Sequence, residues 1–137
     1  MTGPIQTKDI HHLTLTVTNL ERSSAFYTSL LGFQVVMELS PERYLLSNGK
    51  CIVALSLPPN PSRALKDDVF NENRVGIDHL SFSVNSLDDL KGAQRLLDQN
   101  NVSHGDIKDL GSGLGIYVMA FRDPDNIQLE LTAPYDQ

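Results

Sequence analysis

The sequence predicts an α+β fold of two β-α-β-β-β modules whose sheets enclose a cavity, with the helices outside. The main observation is an internal repeat, because IHHLTLTV at residues 10–17 returns without a gap as IDHLSFSV at residues 77–84. The offset from His12 to His79, 67 residue numbers, also pairs apolar residues further along the chain: Leu20 with Leu87, Leu30 with Leu97 and Val35 with Val102. A curved sheet covered by a helix on one face leaves the other face open, so two copies are expected to pair.

Residues 9–57 form the first predicted module. Its first strand alternates polar and apolar residues, Thr18 and Asn19 are good helix N-caps, and Gly32 is a natural residue to end a helix over 20–31. Asn48-Gly49 is the strongest hairpin signal in the chain. Three further strands are predicted at residues 33–39, 43–47 and 50–57.

A proline-rich linker over residues 58–74, with a helical turn near 64–70, leads to the second module at residues 75–134. In this module Ser86 is the predicted N-cap of a helix, and Asp89 three residues on resembles a capping box. The predicted strands are residues 77–84, 102–108, 116–122 and 127–132.

Composition favours one soluble domain over residues 1–137 with a small molecule as partner. The net charge is −6 and the pI about 5.0, and no cluster of Lys and Arg forms a basic stripe, which argues against nucleic acid and against an anionic membrane surface. Neither a signal peptide nor a membrane span is expected. The single cysteine, Cys51, lies in an apolar run that predicts a buried, inert thiol, and a reducing cytoplasmic setting fits.

Three residues suggest a metal site. Strand alternation puts His12 and His79 on polar faces, and Glu130 points the same way from the middle of the last strand. Two imidazoles and one carboxylate suit Fe²⁺ and tolerate Mn²⁺, Co²⁺, Ni²⁺ or Zn²⁺. Each residue alone also fits a plain solvated strand position, and it is the repeat of the histidine that favours metal binding.

The stretches IHHLTLTVTNLERSSAFYTSLLGF, GIDHLSFSV and FRDPDNIQLELTAP resemble the vicinal oxygen chelate superfamily. This superfamily includes glyoxalase I, extradiol dioxygenases, fosfomycin-modifying enzymes and bleomycin-binding proteins. The resemblance implies an incompletely closed eight-stranded barrel and a divalent metal, Fe²⁺ or Mn²⁺ by preference, held by His12, His79 and Glu130. His11 and His104 have no matching role, and we expect His11 to be structural or exposed and His104 to face solvent.

The resemblance does not select one reaction. Glyoxalase I has a second carboxylate on the last strand of its first module, whereas residues 51–57 contain no acid. The fosfomycin-modifying relatives imply basic residues near the C-terminus, and residues 133–137 have none. Extradiol dioxygenases add a catalytic histidine and a catalytic tyrosine. Tyr117 and Tyr44 are the candidates for the tyrosine, and no further histidine is clearly expected on the cavity face. The sequence therefore favours a dioxygenase or lyase, and the alternative is a non-catalytic drug-binding or resistance protein that uses the same cavity.

Polar residues near the predicted ligands are candidates for holding the substrate. Thr14, Ser81 and Gln128 share the ligand faces and could also orient the imidazoles, and Arg122, like Arg43, could neutralise an anionic substrate. Relatives of this length commonly pair their modules across a homodimer. The resemblance thus implies that His12 of one chain joins His79 and Glu130 of the other.

Overall fold

The computed structural model describes residues 3–135 and divides the chain into two compact units, with the boundary between Ser62 and Arg63. Within the described residues there are two four-stranded sheets and two α-helices, one of each in either unit. The predicted α+β class and the two β-α-β-β-β modules are confirmed. Closure of the sheets into a barrel stays a prediction.

The first unit is a sheet in the strand order β1-β4-β3-β2, with β1 parallel to β4 and the other pairs antiparallel. Its elements are β1 (Leu13–Thr16), α1 (Leu20–Leu31), β2 (Gln34–Ser40), β3 (Arg43–Ser47) and β4 (Ile52–Ser56). Asn19 caps α1 by accepting the Arg22 amide at 2.9 Å, and Gly32 ends the helix with a φ of 73°, which favours glycine. The helix packs on one face of the sheet, where Tyr27, Leu46 and Leu55 are fully buried.

The second unit repeats this arrangement in the order β5-β8-β7-β6. Its elements are β5 (Leu80–Ser83), α2 (Leu87–Gln99), β6 (Lys108–Asp109), β7 (Ile116–Arg122) and β8 (Gln128–Pro134). Ser86 caps α2 by accepting the Asp89 amide, as predicted, but the Asp89 carboxylate accepts the amide of Asn85 at 3.0 Å in place of that of Ser86. Leu90, Met119 and Leu129 are fully buried between α2 and the sheet.

Several predicted boundaries differ from the structure. Both repeated strands begin one residue after the histidine, so His12 and His79 directly precede β1 and β5. Residues 103–105 lie beside β7 and form two backbone hydrogen bonds with it. Of the strand predicted over residues 102–108, only the end is regular strand, as part of β6. The helical turn predicted near 64–70 is absent from the described residues, and a short 3-10 helix lies at Pro61–Arg63.

Two side chains differ from their predicted environment. Cys51 is exposed, because it lies in the hairpin turn just before β4, where its backbone amide donates to Asn48. Partial desolvation raises the pKa of its thiol, which keeps the group protonated at neutral pH. The His104 side chain is only 13 % exposed and contacts Asp98 near the end of α2, so the expectation of a solvent-facing residue is wrong.

No helix among residues 3–135 combines the length and the apolar character that crossing a membrane requires. This finding agrees with the sequence, in which no long apolar run occurs.

His104 predicts a pH-dependent stability. Its Nδ1 lies 2.7 Å from the Gly105 carbonyl and its Nε2 lies 2.6 Å from the Asp98 carboxylate, and since both partners only accept, both nitrogens donate in the charged ring. These two bonds raise the pKa of His104 above 6.5. The added free energy of unfolding is therefore present below pH 6.5 and is lost as the pH rises through the folded-state pKa.

We expect His104→Gln to remove the part of the pH dependence that this titration contributes, measured by urea unfolding between about pH 5 and 8. Asp98→Asn should reduce the same pH dependence of the unfolding free energy, because the amide carries no charge. Equal pH profiles for the wild type and His104→Gln would contradict this assignment.

Candidate metal centre

The strand register of the second unit creates one polar face. Ser81 in β5 and Ala120 in β7 lie opposite Glu130 in β8, and residues opposite each other in neighbouring strands point to the same side. Thr132, Gln128 and Arg122 belong to this face by the same alternation. The other face carries Leu129, Leu131 and Ala133, which are buried. Glu130 therefore points away from the core, as the sequence predicts.

His79 and Glu130 lie next to each other on this polar face. The His79 Nε2 is 3.7 Å from the Glu130 Oε1, and the side chains are 40 % and 21 % exposed. The His79 Nδ1 lies 2.8 Å from an oxygen of Asp78, and because a carboxylate only accepts, this nitrogen carries the proton. The lone pair of Nε2 is thereby left for a ligand beside Glu130. Two ligands of one tetrahedral zinc lie about 3.4 Å apart, given metal–ligand bonds of about 2.1 Å, so the spacing fits a shared cation.

Two hydroxyl groups orient the Glu130 carboxylate. The Thr132 Oγ1 donates to the Glu130 Oε1 at 3.2 Å and lies 2.6 Å from the Ser81 Oγ. Since the Thr132 proton goes to the carboxylate, Ser81 donates to Thr132. Ser81, which the sequence suggests for substrate binding, is thus engaged in a relay that ends on a predicted ligand.

Gln128 and Arg122, the other substrate candidates of this unit, also have partners. The Gln128 Nε2 donates to the Asp78 Oδ1 at 3.0 Å, and the Gln128 Oε1 accepts from Arg122 at 3.3 Å. Arg122 makes a two-pronged ion pair with Glu72, at 2.8 and 2.9 Å. Both residues line a cavity of about 260 Å³ that also contacts Ala120, the neighbour of Glu130. Neither His79 nor Glu130 lines this cavity, which lies along β7 and the segment 103–105.

In the first unit, His12 is exposed and its Nδ1 lies 2.8 Å from the Nδ1 of His11. His11 thus occupies the place that Asp78 has in the second unit. Thr14, the repeat partner of Ser81, lies opposite Ala54 in β4, so Ala54 is the structural counterpart of Glu130. Ala54 is 3 % exposed. Residues 51–57 therefore carry no acid at position 54, the counterpart of Glu130, and none at Ile52 or Ser56, which share its face.

The two tyrosines suggested as catalytic groups lie on the opposite faces of their sheets. Tyr44 is in register with Leu55 and through it with Leu15, both of which are buried beneath α1. Tyr117 is in register with the buried Ala133, and its ring centroid lies 4.7 Å from that of Tyr135. The structure therefore does not bring either hydroxyl to a ligand face. The sequence could not reveal this, because the register between neighbouring strands decides which face each tyrosine shares. Arg43 does share the face of Thr14 and Thr16.

The structure brings together two of the three predicted ligands. His79 and Glu130 are neighbours in the second unit, and His12 belongs to the first. Within residues 3–135, no group of three or more His, Cys, Asp or Glu side chains is arranged to hold a metal ion. The residues that sequence reasoning missed are Asp78 and Glu72. Asp78 precedes the repeated histidine and could have been noticed there, but nothing in the linker marks Glu72.

Comparisons with known proteins agree with this architecture. The sequence model described as Glyoxalase/Bleomycin resistance protein/Dioxygenase superfamily matches residues 9–131. The uncharacterized protein YwkD of Bacillus subtilis is 34 % identical over 131 residues, covering 90 % of this chain and 95 % of that protein. The metallothiol transferase FosB of Staphylococcus saprophyticus is 29 % identical over 125 residues, covering 90 % and 76 %.

Solved structures show the same fold. A glyoxylase/bleomycin resistance protein/dioxygenase domain from Frankia sp. EAN1pec superposes with a TM-score of 0.81 at 27 % identity, covering 96 % of this chain and 95 % of that one. Lactoylglutathione lyase from Agrobacterium tumefaciens superposes with a TM-score of 0.72 at 20 % identity, covering 93 % and 94 %. The second likeness concerns the fold alone.

The Glu72–Arg122 pair predicts a loss of stability in acid. Hydrogen bonds from Arg122 lower the pKa of Glu72 from 4.5 to about 2. The stabilisation is therefore fully present above pH 4.5 and is lost as the pH falls toward 2. We expect Glu72→Gln to unfold with a shallower dependence on pH over this interval, as measured by circular dichroism in urea.

Glu42→Gln is the matched control, because Glu42 is an exposed glutamate in the turn after β2. This control should keep the acid dependence of the wild type. If Glu72→Gln also keeps it, the ion pair does not contribute in solution.

Proposed function

This chain belongs to the Glyoxalase/Bleomycin resistance protein/Dioxygenase superfamily, and from that premise we propose that it is a metal-dependent enzyme acting on a small oxygen-chelating substrate. The observation that carries the proposal is the His79 Nε2 facing the Glu130 Oε1 at 3.7 Å while Asp78 binds the other ring nitrogen. A neutral imidazole beside a carboxylate is a donor set suited to divalent transition metals. Fe²⁺ or Mn²⁺ is favoured, and Ni²⁺, Co²⁺ or Zn²⁺ also suits these atoms.

His12 is the proposed third ligand. The repeat supports it, because His12 precedes β1 as His79 precedes β5, and because Thr14 and Ser81 then occupy equivalent positions. The proposal requires the two sheets to form an incompletely closed barrel, either within the single domain of residues 1–137 or between the chains of a homodimer. An acidic chain with one cysteine suits a cytoplasmic enzyme, which we also propose.

The chain's own residues favour dioxygenase or lyase chemistry. When bound, the cation supplies Lewis acidity toward the substrate's oxygens or activates oxygen. Thr132 and Ser81 hold the Glu130 carboxylate in one orientation, and the cavity beside Arg122 and Gln128 has room for a small substrate. Ala54 offers no acid, so the first unit lacks the carboxylate that glyoxalase I uses as a base, and proton transfer needs another group.

A binding protein that holds a drug or other small molecule in the same cavity is the second candidate. The orientation of Tyr44 and Tyr117 toward the core favours it, since neither hydroxyl is available on the polar faces. The two candidates differ in whether the bound molecule is turned over.

Metal binding is the first test. We expect protein purified without a polyhistidine tag or chelator to hold near-stoichiometric metal, measured by plasma emission spectrometry. His12→Ala, His79→Ala and Glu130→Ala should each weaken binding by more than about 100-fold, the upper end of what outer-shell changes cost. His104→Gln and Glu42→Ala are the controls and should keep the metal.

Failure to load any divalent metal would contradict the enzyme proposal and leave the binding protein. For the loaded protein, oxygen uptake with catechols reports a dioxygenase, and assays with hemithioacetals or with thiols and epoxides report the lyase and transferase chemistries of the superfamily. A molecule that binds unchanged in the loaded protein supports the second candidate.

A second prediction concerns assembly. If modules pair across a homodimer, a mixture of His12→Ala and Glu130→Ala chains should regain part of the metal sites, because one site of the mixed dimer keeps all three ligands. Metal content after denaturation and joint refolding measures this recovery. A monomer by light scattering at micromolar concentration would exclude shared sites, and the barrel would then have to close within one chain.

A further inference from the structure

A chain of hydrogen bonds leads from His79 to the segment that precedes β5. It runs from the imidazole to Asp78, then to Gln128, Arg122 and Glu72. We propose that Asp78 is a positioning residue that fixes the tautomer and ring orientation of His79, and that Gln128 and the Glu72–Arg122 pair hold Asp78 in place. The consequence for metal affinity rests on the proposed function, whereas the effect on the imidazole does not.

The contact between Asp78 and His79 sets the proton of the ring. A carboxylate oxygen 2.8 Å from Nδ1 demands a donor there, and Nε2 is then the nitrogen with a free lone pair. The Asp78 side chain is 67 % exposed, so water competes for this bond and an unsupported carboxylate would rotate away. The bond needs a second restraint on Asp78.

Gln128 provides this restraint with an amide that can take only one orientation. Its Nε2 donates to the Asp78 side chain at 3.0 Å and to the Asp78 backbone carbonyl at 3.2 Å, while its Oε1 accepts from Arg122. A flipped amide would place its oxygen against two acceptors and its NH₂ against a guanidinium. Because one amide binds both the side chain and the backbone of Asp78, it limits rotation of the carboxylate.

Arg122 is in turn held from two sides. Glu72 binds both of its terminal nitrogens, and the Asn126 carbonyl accepts from Nη1 at 3.2 Å. The segment around Glu72 is fixed to the turn before β8, since the Phe70 amide donates to the Asp125 carbonyl and the Asn126 side chain donates to the Phe70 carbonyl. The network therefore ends in ordered backbone.

The first unit supplies an internal comparison. His12 has His11 as its neighbour at Nδ1, and of two facing nitrogens one must donate and the other accept. Either ring can take either role, so this contact does not dictate the tautomer of His12. Of the two repeated histidines, His79 is therefore the one whose ring is held by an obligatory acceptor.

The test uses metal-free, ¹⁵N-labelled full-length protein at a pH above about 8, where an ordinary imidazole is neutral. Long-range ¹H–¹⁵N correlation spectra report which ring nitrogen carries the proton. We expect His79 in the wild type to be protonated on Nδ1, and Asp78→Ala to shift it toward a mixture of tautomers. Asp78→Asn should largely restore the wild-type pattern, because His79 and the Gln128 side chain both bind Oδ1 of Asp78, an oxygen that an amide also offers.

Gln128→Ala removes the restraint on Asp78 and leaves the carboxylate in place. It should shift the tautomer of His79 by less than Asp78→Ala does. Asp68→Ala is the matched control, an exposed aspartate in the same unit, and should leave His79 unchanged. The signals of His12 should not respond to Asp78→Ala. Since Asp78 is largely exposed, the variants are expected to fold, which the dispersion of the amide spectrum verifies.

Metal affinity is the second readout, measured by competition of Zn²⁺ with a chromophoric chelator. Asp78→Ala should weaken Zn²⁺ binding by about 10- to 100-fold, and Asp78→Asn by less. An unchanged His79 tautomer in Asp78→Ala would overturn the inference. If the wild type binds no metal while Asp78→Ala changes the tautomer, the proposed function fails and the positioning role of Asp78 stands.

Discussion

The candidate site depends on the parallel pairing of β5 with β8. In this register Ser81 lies opposite Glu130, and every second residue of β8 therefore faces the polar side while Leu129 and Leu131 face α2. A shift by one residue would turn Glu130 into the core and the leucines outward. The burial of the leucines thus fixes the orientation of the carboxylate, and the packing of α2 serves the site without touching it.

The sequence predicted those features that depend on neighbouring residues or on the periodic alternation of polar and apolar side chains. Asn19 and Ser86 cap the N-termini of α1 and α2 and Gly32 ends α1, as predicted, because capping involves residues only a few positions apart. Alternation also placed Glu130 on the polar face of its strand, whereas its proximity to His79 was implied by the family resemblance.

Contacts between distant residues could not be predicted in this way. Gln128 reaches Asp78 and Arg122 reaches Glu72 across 50 positions, and no local pattern encodes such partners. The prediction of a buried Cys51 is wrong because its apolar neighbours belong to β4 while the residue itself lies in the turn. Tyr44 and Tyr117 were chosen by residue type, without regard to the face that their strands give them. Residue type alone is thus a weaker guide than position in a strand.

The buried methyl group of Ala54 restricts how a carboxylate of the glyoxalase I type could be introduced into this chain. A glutamate at this position would place a charge where the side chain is 3 % exposed, and an unpaired charge in such surroundings strongly destabilises a fold. A cation held nearby would offset that cost. A carboxylate at position 54 is therefore tolerable only together with a bound cation, so that metal binding and the fold's stability would depend on each other there.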